Sequence, residues 1–163
     1  MAGRAWKFGD DVDTDAVIPG RYLVINDPRE LAVHLFEGVR PKMASQVHQG
    51  DYVVGGENFG CGSSREQAPQ ALKSAGFYAI AAKSYARIFY RNAFNIGLLL
   101  VECDTDFIDD GDELELDIDK GKLKDVGKGL VLDTKPVPKL MKKLLEDGGV
   151  VGHFKKYGGF KLE

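Results

Sequence analysis

Residues 51–102 read DYVVGGENFGCGSSREQAPQALKSAGFYAIAAKSYARIFYRNAFNIGLLLVE, and the placing of their glycines and serines decides the fold class. Asp51-Tyr52-Val53-Val54-Gly55-Gly56 is a short apolar run closed by glycines, as a buried strand is. A Gly-rich turn follows, Gly60-Cys61-Gly62. Ser63-Ser64-Arg65-Glu66 then matches a capping box, with Ser63 at the N-cap and Glu66 three residues on. The spacing predicts a helix to about Ala75, with Gly76 in the left-handed position that ends it. Phe77 to Ala82 reads as a second strand. Ser84 is expected to cap a second helix running through Asn95 and closed by Gly97, and Leu98 to Glu102 is a third strand. Strand, helix, strand, helix, strand with short links is the pattern of parallel βαβ units.

On the N-terminal side, Ala5 to Phe8 is the first apolar stretch. It runs into the acidic segment Asp10-Asp11-Val12-Asp13-Thr14-Asp15 and then Val17-Ile18-Pro19. Asn26-Asp27-Pro28 signals a turn or helix entry, and Arg29 to Phe36 a short helix. On the C-terminal side, Asp112 to Ile118 alternates with period two, as a half-exposed strand does. Lys120-Gly121-Lys122 suits a hairpin turn, and Leu130 to Leu132 another short strand. Pro138 opens a last amphipathic helix, with Leu140, Met141, Leu144 and Leu145 on one face and Gly148-Gly149 as its stop. The expectation is one α/β domain over 1–163, with a parallel βαβ core and an antiparallel β section.

Composition narrows the function. The chain has 163 residues, 44% hydrophobic and 29% charged, which are ordinary values for a globular protein. Lys+Arg 22 against Asp+Glu 25 leaves a net charge of -3, which argues against binding nucleic acid through a basic surface. The longest apolar run, Ile96 to Val101, is far shorter than the roughly 20 residues of a membrane span. The N-terminus turns polar at Lys7 and does not read as a signal peptide, so a cytoplasmic enzyme or enzyme subunit is expected. Two cysteines, Cys61 and Cys103, cannot build a disulfide framework.

Several familiar motifs fail. Asp11-Val12-Asp13-Thr14-Asp15 begins like an EF-hand loop, but Ala16 stands where Gly is needed and Tyr22 where the bidentate Glu belongs. Gly60-Cys61-Gly62 starts a dinucleotide fingerprint, but Arg65 occupies the third glycine position. Cysteines and histidines are scattered without zinc spacing, and two thiols fall short of a cubane cluster. The strongest feature remains Gly56 to Arg65. It places backbone N–H groups, two hydroxyls and a guanidinium at a helix entry, where a carboxylate or phosphate is held well. The competing reading is that Ser63 only caps the helix and Arg65 is solvated. Thr14-Asp15 reads either as part of a site or as a solvated loop. Arg87 and Arg91, four apart on one helix face, suit a partner surface, an anionic ligand or solubility alone. Cys61, near a helix start, is a candidate for a lowered thiol pKa, although no histidine lies nearby in sequence to serve it as a base.

Taken together, these segments resemble the small subunits of isopropylmalate isomerase, in the aconitase superfamily. The matching residues are Asp11 to Pro19, Arg21-Tyr22-Leu23, Gly60 to Glu66 and Ser84 to Asn92, in the family's order from the start of the chain to about Glu102. Gln67 departs from the pattern, since many members have His after Ser-Arg-Glu. The resemblance implies a swivelling β/β/α domain and a cluster-bearing large subunit as partner, in a heterodimer or heterotetramer. It implies that no metal is bound by this chain, with a [4Fe–4S] cluster on the large subunit. It implies dehydration and rehydration of a small hydroxy-dicarboxylate, 2-isopropylmalate and 3-isopropylmalate in leucine biosynthesis. Ser63 is then the base, acting as an alkoxide stabilised by N–H groups of the Gly60-Cys61-Gly62 turn. Ser64 and Arg65 hold a substrate carboxylate, and Thr14 and Asp15 complete the site. Val24 lies on the specificity loop, where relatives that take an extra carboxylate resemble Tyr-Leu-Arg. The alternatives are homoaconitase or a related hydroxy-diacid dehydratase, and a stand-alone anion-binding module. Neither nucleic acid nor membrane is expected as a partner.

Overall fold

A computed structural model describes residues 2–160; Met1 and residues 161–163, the ends of the span expected to form one domain, lie outside the described residues. Seven strands form one mixed sheet: β1 (Ala2–Lys7), β2 (Tyr52–Val54), β3 (Ala79–Ala82), β4 (Leu99–Glu102), β5 (Glu113–Asp117), β6 (Lys122–Asp125) and β7 (Leu130–Asp133), in the order β4-β3-β2-β1-β5-β6-β7. β1 to β4 are parallel, and β1 then pairs antiparallel with β5, which continues through β6 to β7. The expected parallel core and antiparallel section are therefore halves of one sheet, joined through β1.

The helices are α1 (Thr14–Val17), α2 (Pro28–Ala32), α3 (Gln67–Ser74), α4 (Arg87–Asn95), α5 (Lys139–Glu146) and α6 (Val150–Tyr157). α3 and α4 are the crossovers between the parallel strands. Every residue of β2 and β3 is buried, as it is in a parallel sheet covered on both faces. β5 alternates exposed and buried, as its period-two pattern requires. Asp27 caps α2 with its carboxylate, and Pro28 takes the first helical position, where its missing N–H costs nothing.

Both expected serine caps are corrected. α3 begins at Gln67, with Glu66 at the N-cap and no side-chain cap bond. Pro69 supplies the reason: in a helix begun at Ser64 its ring would strike the carbonyl of Arg65, so the helix starts late enough to put Pro69 in its first turn. α4 begins at Arg87 rather than after Ser84, whose hydroxyl instead accepts from the Asn58 amide at 2.7 Å. The hairpin turn expected at Lys120-Gly121-Lys122 leads into β6, a strand given no range in the sequence reading, and α6 was not expected.

Candidate functional site

Three loops meet beyond the C-terminal ends of β1, β2 and β3, the place where parallel sheets gather ligand sites. The segment after β2 is stitched to the segment after β1. The Gly60 amide donates to the Val12 carbonyl at 2.7 Å, and the Thr14 amide to the Cys61 carbonyl at 2.9 Å. It is stitched to the segment after β3 as well, with the Phe59 amide on Ser84 and the Ala86 amide on Phe59. Gly60 has φ +84°, and a Cβ there would fall 2.2 Å from the Phe89 ring, so the crossing excludes any side chain. These links fix an open cleft of about 960 Å³, with Thr14, Ser63, Ser64 and Arg65 in one wall and the first turn of α4 in the other.

Arg65 organises the wall. Its Nε–H donates to Ser63 Oγ at 3.0 Å, and Nη1 donates both to Asp15 Oδ1 and to the Ile18 carbonyl, each at 3.0 Å. The Arg65 side chain is only 18% exposed. Its Nη2 donates to no acceptor among the described residues, which leaves two N–H groups for an incoming anion. Asp15 is held below the usual carboxylate range, first by the Arg65 hydrogen bond and then by the Gly20 amide. Asp15 does not line the cleft and touches it through Arg65.

Ser63 is exposed, and because it caps no helix its hydroxyl has no competing backbone duty. Its carbonyl accepts from the buried Thr14 hydroxyl at 2.7 Å. Thr14 thus fixes the backbone of Ser63 and spends its donor in doing so. The expected oxyanion donors shift by two residues. The Gly60 amide is consumed by Val12, whereas the amides of Gly62, Ser63 and Ser64 have no protein acceptor among the described residues. Cys61 is corrected: burial, then Asp11 and Asp13, push its thiol up, away from a reactive thiolate. Burial pushes the half-buried Cys103 up to about 12, which suits an inert thiol.

Val24 is outside the cleft wall, 84% exposed on the loop after Arg21-Tyr22-Leu23. The base of that loop is pinned. Tyr22 stacks on His34 with ring centroids 3.7 Å apart, and Arg21 pairs with Glu37 at 3.2 Å. The resemblance put Asp15 and Arg65 in one site although fifty residues separate them, and the β1–β2 pairing brings the two side chains into contact.

Among the described residues no three of His, Cys, Asp or Glu converge as a metal site. No helix among them is long and apolar enough to cross a membrane.

Residues 37–106 match the family described as the Aconitase C-terminal domain. The chain is 61% identical over 150 residues to the 3-isopropylmalate dehydratase small subunit 1 of Archaeoglobus fulgidus, covering 91% of this chain and 93% of that one. It is 55% identical to the methanogen homoaconitase small subunit of Methanothermobacter thermautotrophicus, over 96% of this chain and 91% of the other. The crystal structure of 3-isopropylmalate dehydratase from Methanocaldococcus jannaschii superimposes with a TM-score of 0.94 at 49% identity, covering 97% of this chain and 95% of that one. A superposition this close, and identities of this size over nearly the whole chain, show that it belongs to the 3-isopropylmalate dehydratase small-subunit family of the aconitase superfamily.

Proposed function

We propose that this chain is the small subunit of a hydro-lyase that interconverts 2-isopropylmalate and 3-isopropylmalate, and that it works only with a large subunit. The observation that carries the reading is the chain of contacts from Asp15 through Arg65 to Ser63 Oγ at the cleft wall. Dehydration of a hydroxy-diacid needs a base that takes a proton from the carbon beside a carboxylate. The C–H electron pair then forms the alkene as hydroxide leaves the neighbouring carbon, and rehydration at the other carbon reverses the sequence. Ser63 is the base. A free serine hydroxyl is too weak for this, but a guanidinium hydrogen-bonded to its oxygen favours the alkoxide. The unpaired amides of Gly62 to Ser64 add donors to the same wall. The two Nη2 N–H groups of Arg65 and the Ser64 hydroxyl hold the substrate carboxylate, Asp15 keeps the guanidinium oriented, and Thr14 holds Ser63 in place. The hydroxyl side of the reaction falls to the large subunit, where the resemblance puts the [4Fe–4S] cluster.

Purified chain mixed anaerobically with cluster-bearing large subunit is expected to turn over isopropylmalate, followed by the absorbance of the alkene, while the chain alone does not. Iron and sulfide added to the chain alone are expected to leave it without stoichiometric iron. Turnover or a bound cluster without the partner refutes the reading, and dicarboxylate binding without turnover in the mixture favours a stand-alone anion-binding module.

Substrate choice rests on Val24. Its exposure leaves its isopropyl group free to meet a substrate's alkyl branch when the cleft closes. Burying an unpaired carboxylate against it costs several kcal/mol. Val24→Arg is expected to shift the ratio of kcat/KM toward a homoaconitate-type tricarboxylate by about tenfold or more, the worth of one charge-assisted hydrogen bond. An unchanged ratio takes Val24 out of the site.

A further inference from the structure

α4 has one buried face and one exposed face. Phe89, Ala93 and Phe94 are its buried side. Arg87, Ile88 and Arg91 fall within an arc of about 100° on the outer side and stand on the cleft's rim. The chain carries more acids than bases, yet neither arginine has a carboxylate within ion-pair distance among the described residues. Glu102, the acid that shares the cleft, is taken by Lys135 at 3.0 Å. Ile88 is 46% exposed beside the two cations. In the proposed site Arg65 and Ser64 take a substrate carboxylate and Val24 the alkyl branch, which leaves Ile88 without an assigned small-molecule partner. A protein surface uses both the cations and Ile88, and arginine beside an apolar side chain is the usual make-up of an interface centre.

We propose that Arg87, Ile88 and Arg91 are a docking surface for an acidic segment of the cluster-bearing large subunit. Its carboxylates meet the two guanidinium groups and an apolar side chain covers Ile88. The inference rests on the proposed function for the existence of that partner, and on the position of α4 at the mouth of a cleft that the partner closes. Arg suits the role through its fork of donors, which grips carboxylates in a bidentate way.

The test is anaerobic titration of the full chain with large subunit, at low and high salt, followed by sedimentation. For the Arg87→Gln/Arg91→Gln pair we expect association roughly tenfold weaker or more, with a shallower salt dependence. Ile88→Ser is expected to weaken association without changing the salt slope. Matched thermal unfolding of each variant shows that α4 is intact, and Ile88→Ser gives a second reading if the double variant is unstable. Unchanged affinity, or a raised KM for isopropylmalate at saturating partner, overturns the inference; the second result would make the arginines substrate anchors. Wild-type chain that fails to bind large subunit overturns the proposed function too, whereas wild-type binding with unaffected variants overturns the docking face alone.

Discussion

Ser63→Ala is expected to lower kcat of the assembled enzyme by about 10²–10⁴-fold, the usual worth of a general base, with KM little changed. The structure makes this a clean substitution. Ser63 is exposed, its Oγ is held only by Arg65 Nε, and its tie to Thr14 runs through the carbonyl, which alanine keeps. Since the hydroxyl caps no helix, α3 loses nothing. Thermal unfolding and association with the large subunit should match wild type, so a fall in rate cannot be charged to the fold. Removing a hydroxyl that merely caps or solvates would change turnover by less than a factor of a few. Near-normal kcat in a folded, assembled Ser63→Ala enzyme would end the assignment of Ser63 as base.

The fold was readable wherever hydrophobic period and glycine punctuation agreed. Val53-Val54-Gly55-Gly56, Gly76 and Gly97 marked strand and helix ends that the structure keeps to within a few residues. Two elements stayed hidden for physical reasons. β6 turns Leu123 and Asp125 inward, and a buried aspartate breaks the apolar alternation that marks a strand. α6 follows immediately after Gly148-Gly149, which read as a stop. Gly149, at φ +112°, instead turns the chain into a new helix. That helix docks through a buried polar contact, His153 Nδ1 to Asp147 Oδ2 at 2.7 Å, which hydrophobic patterning does not register.

The site was readable as chemistry and not as geometry. Glycines, hydroxyls and a guanidinium at Gly60 to Arg65 announced an anion site. The capping-box match, however, pulled Ser63 toward a helix end it does not occupy, and Pro69 was the overlooked signal. Thr14 illustrates the second gap. Its residue type suggests a substrate donor, whereas its buried hydroxyl is committed to the Ser63 carbonyl 49 positions away. Contacts of that kind follow from strand pairing between β1 and β2 and have no local trace.

Arg65→Lys is the sharper probe of the mechanism, because it keeps the charge and loses the fork. One ammonium cannot reach Ser63 Oγ, Asp15 Oδ1 and the Ile18 carbonyl together while offering two further N–H groups to a carboxylate. With charge-assisted hydrogen bonds worth roughly 1.5–3 kcal/mol each, kcat/KM should fall by about 10² or more, through both kcat and KM. Activity that depends on an alkoxide rises with pH as serine ionises. A weaker cation at Oγ makes that ionisation harder, so the rising limb of the pH–rate profile should move to higher pH. Asp15 cannot mimic this shift. Its depressed carboxyl gives its pairing above the ordinary carboxylate range and loses it only as pH falls through the lowered value, on the acidic side. A role for Arg65 in tethering the loop after β1, and nothing more, would instead lower thermal stability or association and leave the pH profile where it was. The profile of Arg65→Lys at saturating large subunit therefore decides whether the guanidinium acts on Ser63 or only on the fold.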